Sequence, residues 1–250
     1  MKTKIKVLYM IMSIVWMVSS GTSSIRAVEM NPADVLRQAD RARGNVGGLV
    51  WDVKVEEVGA EADEETTVLI VKAKDENALA LFVEPKSSKG RKMLMKKNNM
   101  WFIKPGVSKP VSISPRQKLM GGASNADIAS TNYAGDYEAT LLRKESVDGV
   151  ECYVLDLKGK TKKVTYPRIT YWVSIDRNLG LKSEFYSVSG KLLKIAFFKY
   201  EQTIDINGEQ HPFVSEMRIQ DAVQKDTETI MTYTNVKVTD IPNSEFSLRN

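Results

Sequence analysis

The chain of 250 residues is short of the side chains on which most catalytic and metal sites depend. It contains one cysteine, Cys152, and one histidine, His211. A single cysteine excludes an intrachain disulfide, and so few candidate ligands exclude a zinc site with several Cys or His side chains. Any Ser–His or Cys–His pair would need His211. That residue precedes Pro212 after an Asn-Gly turn and is predicted to lie on an exposed loop.

Catalytic motifs are also missing. There is no glycine-rich phosphate loop at a strand–helix junction, no paired spacing of metal ligands and no nucleophile elbow. Acid pairs such as Asp127 and Asp136 occur, but such pairs are common and nothing marks this one as an acid–base couple. Cys152 falls in a β-rich run and is most simply a small core residue. We therefore predict a protein that is not an enzyme and that binds no metal or other cofactor.

Long apolar runs are limited to the N-terminus, where the pattern is that of a secretory signal. Three lysine residues precede an apolar run over residues 7–18, and small residues then lead to Ala27. This order indicates a signal peptide over residues 1–27, cleaved after Ala27, and a single domain over residues 28–250. The run is too short for a comfortable transmembrane helix, which needs about 20 residues. An uncleaved membrane anchor is the alternative.

An excess of positive charge is lacking once this segment is set aside. The whole chain has a formal net charge of +5, and residues 1–27 contain four basic and no acidic residues, which leaves +1. A nearly neutral domain offers little attraction for a polyanion, so we expect no nucleic-acid partner. Basic clusters within residues 86–92 and 158–163 are either solvated loops or a docking surface for anionic headgroups or a membrane partner.

What the sequence does contain is one helix followed by many short strands. Asn31 is a good N-cap, Pro32 suits the first helical position and Gly44 is a good stop, which predicts a helix over residues 32–43. From Leu49 onward apolar residues alternate with polar ones, and about a dozen such runs are separated by tight turns. Strands in this order imply an antiparallel meander rather than a parallel nucleotide-binding sheet.

Several of these strands are apolar on both faces, as in residues 78–83, 93–95 and 100–103. An antiparallel sheet with one face in water alternates cleanly, so both faces must be covered here. One helix is little cover for a dozen strands, and the sheet is therefore expected to curl on itself around a cavity. The methionine residues of these strands suit a variable apolar ligand, although the filling of an irregular core explains them as well.

One segment, residues 105–135, interrupts the strand rhythm with three proline and four glycine residues. A segment of this length inside a domain is usually a lid, a binding loop or disordered. Its apolar side chains, among them Leu119, Met120 and Ile128, need apolar surroundings. This favours a lid or a binding loop over disorder.

Three motifs in and beside this segment resemble those of a known family. They are Met-Trp-Phe-Ile-Lys-Pro at residues 100–105, Ile-Ser-Pro-Arg-Gln-Lys-Leu-Met-Gly-Gly at 113–122 and Asn-Ala-Asp-Ile-Ala at 125–129. With the order of elements, they are similar to the outer-membrane lipoprotein-sorting protein family, which is related to the periplasmic lipoprotein carrier LolA. The resemblance implies a mainly β fold of the LolA/LppX type. That fold is a curled antiparallel sheet, an unclosed β-barrel of about eleven strands, with short lid helices over an apolar cavity.

This resemblance implies binding of acyl chains or other lipids in the periplasm. The first hypothesis is a periplasmic carrier that binds acyl chains of lipoproteins or lipids for transport toward the outer membrane. Its partners would be the acyl chain and an inner-membrane exporter or outer-membrane acceptor. The second hypothesis is a periplasmic interaction or sensor module, or an accessory subunit of a lipid exporter. The third, an enzyme, would need His211 or an acid pair inside the cavity.

Ten apolar residues are candidates for contact with the lipid. The strand candidates, expected to line the cavity, are Trp51, Leu79, Leu81, Met93, Met95, Trp101 and Ile103. The lid candidates are Leu119, Met120 and Ile128. The sequence does not fix which strand face lines the cavity, because a shift of one residue reverses the faces. Plain core packing is the alternative for each of the ten.

Overall fold

The computed structural model of the chain describes residues 30–59, 62, 66–107, 109–129, 131–224 and 226–248. The predicted signal peptide, residues 1–27, lies outside the described residues. Within the part of the chain that is described, no helix combines the length and the apolar character needed to span a membrane.

The first element is the predicted helix, α1 (Pro32–Arg41). The side chain of Asn31 caps it by accepting a hydrogen bond from the backbone N–H of Ala33 at 3.0 Å. Such a cap satisfies one of the N–H groups left free at a helix start. The helix ends two residues before the predicted position, and Gly44 adopts a φ of 103° just beyond it. The buried residues of α1 are Val35, Leu36, Ala39 and Asp40.

Strands make up most of the remaining described chain. The first eight are β1 (Gly48–Gly59), β2 (Thr67–Lys74), β3 (Asn77–Glu84), β4 (Lys92–Lys96), β5 (Asn99–Ile103), β6 (Val111–Ile113), β7 (Lys118–Met120) and β8 (Ala123–Ser124). They are followed by β9 (Tyr137–Val147), β10 (Val150–Gly159), β11 (Arg168–Ser174), β12 (Gly180–Tyr186), β13 (Leu192–Lys199), β14 (Gln202–Ile206), β15 (Glu209–Phe213), β16 (Glu216–Asp221) and β17 (Thr227–Val238). Two 3-10 turns, Asn125–Ile128 and Asn243–Phe246, and one helical turn, α2 (Tyr133–Asp136), also occur.

Thirteen of the described strands form one antiparallel sheet, in the order β6-β5-β4-β3-β2-β1-β17-β16-β13-β12-β11-β10-β9. The pairing of β1 with β17 joins the two halves of the sheet. In one half the strands follow in chain order from β1 to the edge strand β6, and in the other half they follow in reverse chain order from β17 to the edge strand β9. Neither edge strand, β6 or β9, pairs on its outer side with another described strand. The prediction of a mainly β, antiparallel and unclosed sheet is confirmed, with thirteen strands in place of about eleven.

The proline- and glycine-rich segment connects the two edges of this sheet. The chain leaves β6 at one edge and enters β9 at the other, so residues 114–129 and 131–136, here called the crossover, pass over one face. The passage is close at Gly121, which has a φ of 51°. A Cβ at Gly121 would lie 2.2 Å from the hydroxyl of Thr229 on β17. Glycine is required there for both its backbone conformation and its lack of a side chain.

Strand alternation divides the sheet into an inner face, which the crossover covers, and an outer face. The main apolar core lies on the inner face and includes Trp51, Val71, Tyr171 and Phe198, together with residues of α1 and the crossover. On the outer face, the C-terminal 3-10 turn covers a second cluster. Its members are Leu79, Leu94, Ile103, Ile241 and Phe246. A third cluster, also outer, contains the buried Cys152, as predicted for a core residue.

The prediction of an exposed loop at His211 is wrong. This residue lies on β15, directly opposite Ile204 of β14, and its side chain is 33% exposed. The sequence did not indicate a strand here, because the hairpin of β14 and β15 is short and polar and because proline, here Pro212, is disfavoured within strands. Proline is tolerated because the hairpin forms a separate two-stranded sheet, in which each strand has a free edge.

Candidate functional site

The candidate site begins with an apolar pocket between the inner face and the crossover. Small and flexible side chains of four strands form its wall: Val71, Ala78, Ala80, Met93, Met95 and Met100. The crossover closes it with Asn125, Ile128 and Ala129. The cavity has a volume of about 10 Å³, which is close to the minimum for one water molecule. The crossover must therefore move before a chain-like ligand can enter.

Six of the ten sequence candidates lie on this side of the sheet. Trp51 and Met93 are buried in the inner core, and Met95 packs against it from the same face. Ile128 is 1% exposed and belongs to the pocket wall. Leu119 and Met120, on β7 of the crossover, are partly buried against the same core.

The other four candidates lie on the outer face, which corrects their predicted place in the cavity. Leu79 and Ile103 belong to the cluster under the C-terminal turn. Trp101 pairs with Leu94 of that cluster and therefore shares its face. Leu81 lies between Ala80 and Phe82, which both face the inner core, so its own side chain faces outward. The physical reason is the two-residue period of a strand: β3 and β5 are apolar on both faces, so composition does not distinguish the faces.

A buried ion pair fixes the crossover to the sheet. The Nζ of Lys194 on β13 donates to Asp127 Oδ2 in the 3-10 turn, and the two side chains are only 4% and 6% exposed. The same carboxylate oxygen accepts from the backbone N–H of Ser124 at 2.7 Å and from its hydroxyl at 2.8 Å. The Lys194 ammonium also lies 5.1 Å and 5.2 Å from the ring centroids of Tyr166 and Phe185. A charged contact of this kind holds the turn in one position over the pocket.

A second buried charge lies on the same covered face, and it lines one cleft together with Asp127. Arg43, just after α1, is 9% exposed. Its guanidinium carbon lies 4.2 Å from the ring centroid of Phe198 and 5.4 Å from that of Tyr133. Its Nη1 is buried and has no hydrogen-bond partner among the described residues. Among those residues it also forms no ion pair, because no carboxylate oxygen lies within 4.0 Å. The positive charge is thus supported by aromatic faces and by a side-chain hydrogen bond with Tyr133 rather than by a carboxylate.

Two more unpartnered polar atoms lie near this guanidinium. Asp40 is fully buried; its Oδ2 accepts from the backbone N–H of Ala134 at 2.8 Å, but its Oδ1 has no partner among the described residues. Burial raises the pKa of Asp40 to about 7, against the lowering effect of backbone hydrogen bonds and of Arg43. The buried hydroxyl of Tyr171 also lacks a described partner, and its ring packs edge-on against Tyr133 at 5.5 Å.

These polar residues are missing from the sequence candidates, although one signal was available. Positions 36, 40 and 43 follow the helical spacing of four and three residues that starts from the buried Leu36. Charged residues at two positions of an apolar stripe are a local inconsistency. Such inconsistencies are where functional residues are expected. The aromatic partners Tyr133, Tyr171 and Phe198 come from distant parts of the chain, and no sequence signal connects them to α1.

The arrangement offers little for metal or acid–base chemistry. Within the described residues no group of three or more His, Cys, Asp or Glu side chains could hold a metal ion. His211 contacts one exposed carboxylate, that of Glu209, with 3.6 Å between Nε2 and Oε2. Asp127 is occupied by Lys194 and Ser124 and is not a free partner for Asp136. What the site combines is an apolar pocket, a cover held by a buried ion pair together with hydrogen bonds, and a second buried cation.

The fold is an open antiparallel sheet, and a connection between its two edges crosses its apolar inner face. Several solved structures share this class of fold. A LolA superfamily protein from Nitrosomonas europaea is 34% identical, with a TM-score of 0.78 over 87% of this chain and 98% of that one. The chain belongs to the LolA superfamily.

Two more distant structures share the fold. A DUF1329 family protein from Desulfovibrio piger is 22% identical, with a TM-score of 0.71 over 87% of this chain and 98% of its own. A domain described as an outer membrane lipoprotein-sorting protein, from Vibrio parahaemolyticus, is 18% identical, with a TM-score of 0.71 over 86% of this chain and 96% of its own. A family model described as "Uncharacterized protein" matches residues 74–250. No curated protein matches the sequence.

Proposed function

We propose that this protein is a periplasmic carrier that holds the acyl chains of lipids or lipoproteins against its inner face and moves them toward the outer membrane. The observation that carries the proposal is the continuous apolar inner face, which a connection covers instead of a paired strand. A covering segment held by side chains can be displaced without breaking the sheet. Membership of the LolA superfamily and the lipoprotein-sorting description of one structural relative support the same conclusion.

The energy available from an acyl chain is adequate for this task. Each buried CH₂ group contributes about 0.8 kcal/mol, so the roughly fourteen methylene groups of a palmitoyl chain contribute about 11 kcal/mol before ordering is counted. Part of this energy must offset movement of the crossover, because the closed pocket has a volume of only about 10 Å³. Met93, Met95 and Met100 can change rotamers at small cost and so adapt the wall to the chain.

Photo-crosslinking tests the carrier directly. The protein over residues 28–250 would be incubated with a palmitate analogue that carries a diazirine near its methyl end, irradiated, digested and mapped by mass spectrometry. We expect labels on the inner pocket, at Met93, Met95 or Ile128, and their loss when unlabelled palmitate competes. Labels confined to the outer residues Leu79 and Ile103, or no competable label, would reject the carrier. Native mass spectrometry of protein purified from its periplasm would identify the natural lipid.

A second function, docking of a partner protein, is favoured by one specific observation. Edge strand β9 exposes Leu141 and Leu142 to 43% and 47%, and its outer side has no strand partner within the described chain. A free edge can accept an extended segment of another protein as an additional strand. Such a partner could be an inner-membrane exporter or an outer-membrane acceptor. Lipid transfer between vesicles by the protein alone would favour the carrier, whereas partner binding that requires bound lipid would favour a sensor.

A further inference from the structure

The buried guanidinium of Arg43 is the feature that the carrier function leaves unexplained. An arginine side chain cannot release its proton in a protein, so its charge must be supported where it lies. Each aromatic face supplies about 2 kcal/mol to a desolvated cation, whereas removal of a charged group from water costs several kcal/mol. The Nη1 group has no described partner. A permanent buried cation with a free donor is a binding site for an anion.

Nearby acidic groups do not neutralise this cation. Asp40 makes no ion pair with Arg43, and its carboxylate instead accepts from the backbone of Ala134. Because burial raises its pKa to about 7, this carboxyl is protonated in a large fraction of molecules at neutral pH. A guanidinium with a free Nη1 donor matches a carboxylate or a phosphate.

The space beside Arg43 has the size of a headgroup rather than of a whole lipid. Arg43 and Tyr133 line a cleft of about 80 Å³, which is space for about five to eight water molecules. Met95 lines both this cleft and the apolar pocket, so the two are adjacent along β4. An amphiphile can therefore place its chain on the inner face and its polar end at the guanidinium.

We propose that Arg43 binds the anionic headgroup, a carboxylate or a phosphate, of a lipid whose acyl chain occupies the inner face. This inference rests on the proposed carrier function and specifies its ligand class as anionic lipids. A neutral acylated peptide has no anionic group for the guanidinium and is expected to bind more weakly than a fatty acid. Four acidic residues, Asp75, Glu76, Asp127 and Asp136, line the cleft beside the bases Arg43 and Lys97, and Asp127 is paired with Lys194. The excess of carboxylates repels free anions. Burial of an acyl chain offsets this repulsion, so inorganic phosphate alone is not expected to bind.

Three probes separate the headgroup from the chain. Isothermal titration at pH 6, where the Asp40 carboxyl is mostly protonated, would compare palmitate, the neutral alcohol hexadecanol and inorganic phosphate on the protein over residues 28–250. We expect palmitate to bind about 10- to 100-fold more tightly than hexadecanol, and phosphate not to bind measurably. Equal affinity of the wild-type protein for palmitate and hexadecanol would overturn the headgroup site, and this comparison needs no variant. Binding of phosphate alone would identify a free-anion site instead.

Variants assign the preference to Arg43. Arg43→Gln should lose most of the preference for palmitate while its affinity for hexadecanol changes less than about twofold, and Arg43→Lys should keep part of the preference. The matched control is Arg37→Gln on the same helix, where the side chain is 60% exposed and paired with Asp34; it should leave both affinities unchanged. A folded Arg43→Gln protein with an unchanged palmitate preference would reject the headgroup site but not the carrier. A wild-type protein that binds neither amphiphile would reject the carrier itself.

Discussion

The ion pair between Lys194 and Asp127 gives the sharpest test of how the crossover is held. Asp127→Asn leaves the Lys194 ammonium, which is 4% exposed, with the carbonyl of Gly122 at 3.3 Å and two aromatic rings. Removal of one partner of a buried pair costs about 3–5 kcal/mol. The ring contacts and the remaining hydrogen bond reduce this, so we expect a loss of about 3 kcal/mol. That corresponds to a fall in Tm of roughly 6–12 °C at about 2–4 °C per kcal/mol.

Urea unfolding followed by circular dichroism measures the loss. The matched control is Asp34→Asn, which makes the same chemical change in an exposed pair with Arg37 and should cost less than about 1 kcal/mol. A double-mutant cycle with Lys194→Met isolates the pair, and the double variant should be at least about 2 kcal/mol more stable than the sum of the single changes predicts. Additive changes would show that the pair does not hold the crossover.

Limited proteolysis adds a local readout. Arg116 and Lys118 lie in the crossover, so trypsin reports its opening. A local loss of about 3 kcal/mol raises the open fraction about 100-fold, and cleavage after these residues should accelerate accordingly when reclosing is fast. If Asp127→Asn lowered global stability but left the cleavage rate at the wild-type value, the crossover would be held by other contacts.

Three further predictions concern other parts of the molecule. Because the folded pKa of Asp40, about 7, is above its ordinary value, its contribution to stability is complete below about pH 4 and is lost as the pH rises through 7. The free energy of unfolding of Asp40→Asn, measured in urea relative to that of the wild type, should therefore rise by up to about 4 kcal/mol between pH 4 and pH 8. A difference between the two proteins that does not change with pH would contradict the burial of a titrating carboxyl. Phe246→Ala should cost about 3–4 kcal/mol, because this 1%-exposed ring covers the outer cluster. The control Leu248→Ala, at a 37%-exposed position, should cost less than about 0.5 kcal/mol, and equal effects would reject the covering role. The Cys152 thiol, whose burial raises its pKa to about 11, should react with a disulfide reagent at pH 8 only on unfolding; rapid labelling of the native protein would show that the outer cluster opens.

Patterns local in the sequence predicted most of the architecture. The cap at Asn31, the two-residue alternation from Leu49 and the tight turns gave the helix and most of the strands, because each depends on neighbouring residues alone. The hairpin that carries His211 was missed because short polar strands with a proline have no such local signal. The lid candidates Leu119, Met120 and Ile128 were placed on the covered side because an apolar segment between strands has only the sheet to pack against.

The sequence alone therefore determined the class of fold, the absence of paired Cys and His ligands, and a long apolar connection. Only the tertiary structure decided that this connection joins the two edges of one sheet and crosses its inner face. It also decided that Leu79 and Ile103 face outward, since strands that are apolar on both sides have no preferred face until neighbours and the C-terminal turn pack on them. Only the tertiary structure likewise decided that the charged groups of Arg43 and Lys194 are buried, because burial and charge partners depend on contacts between residues far apart in the chain.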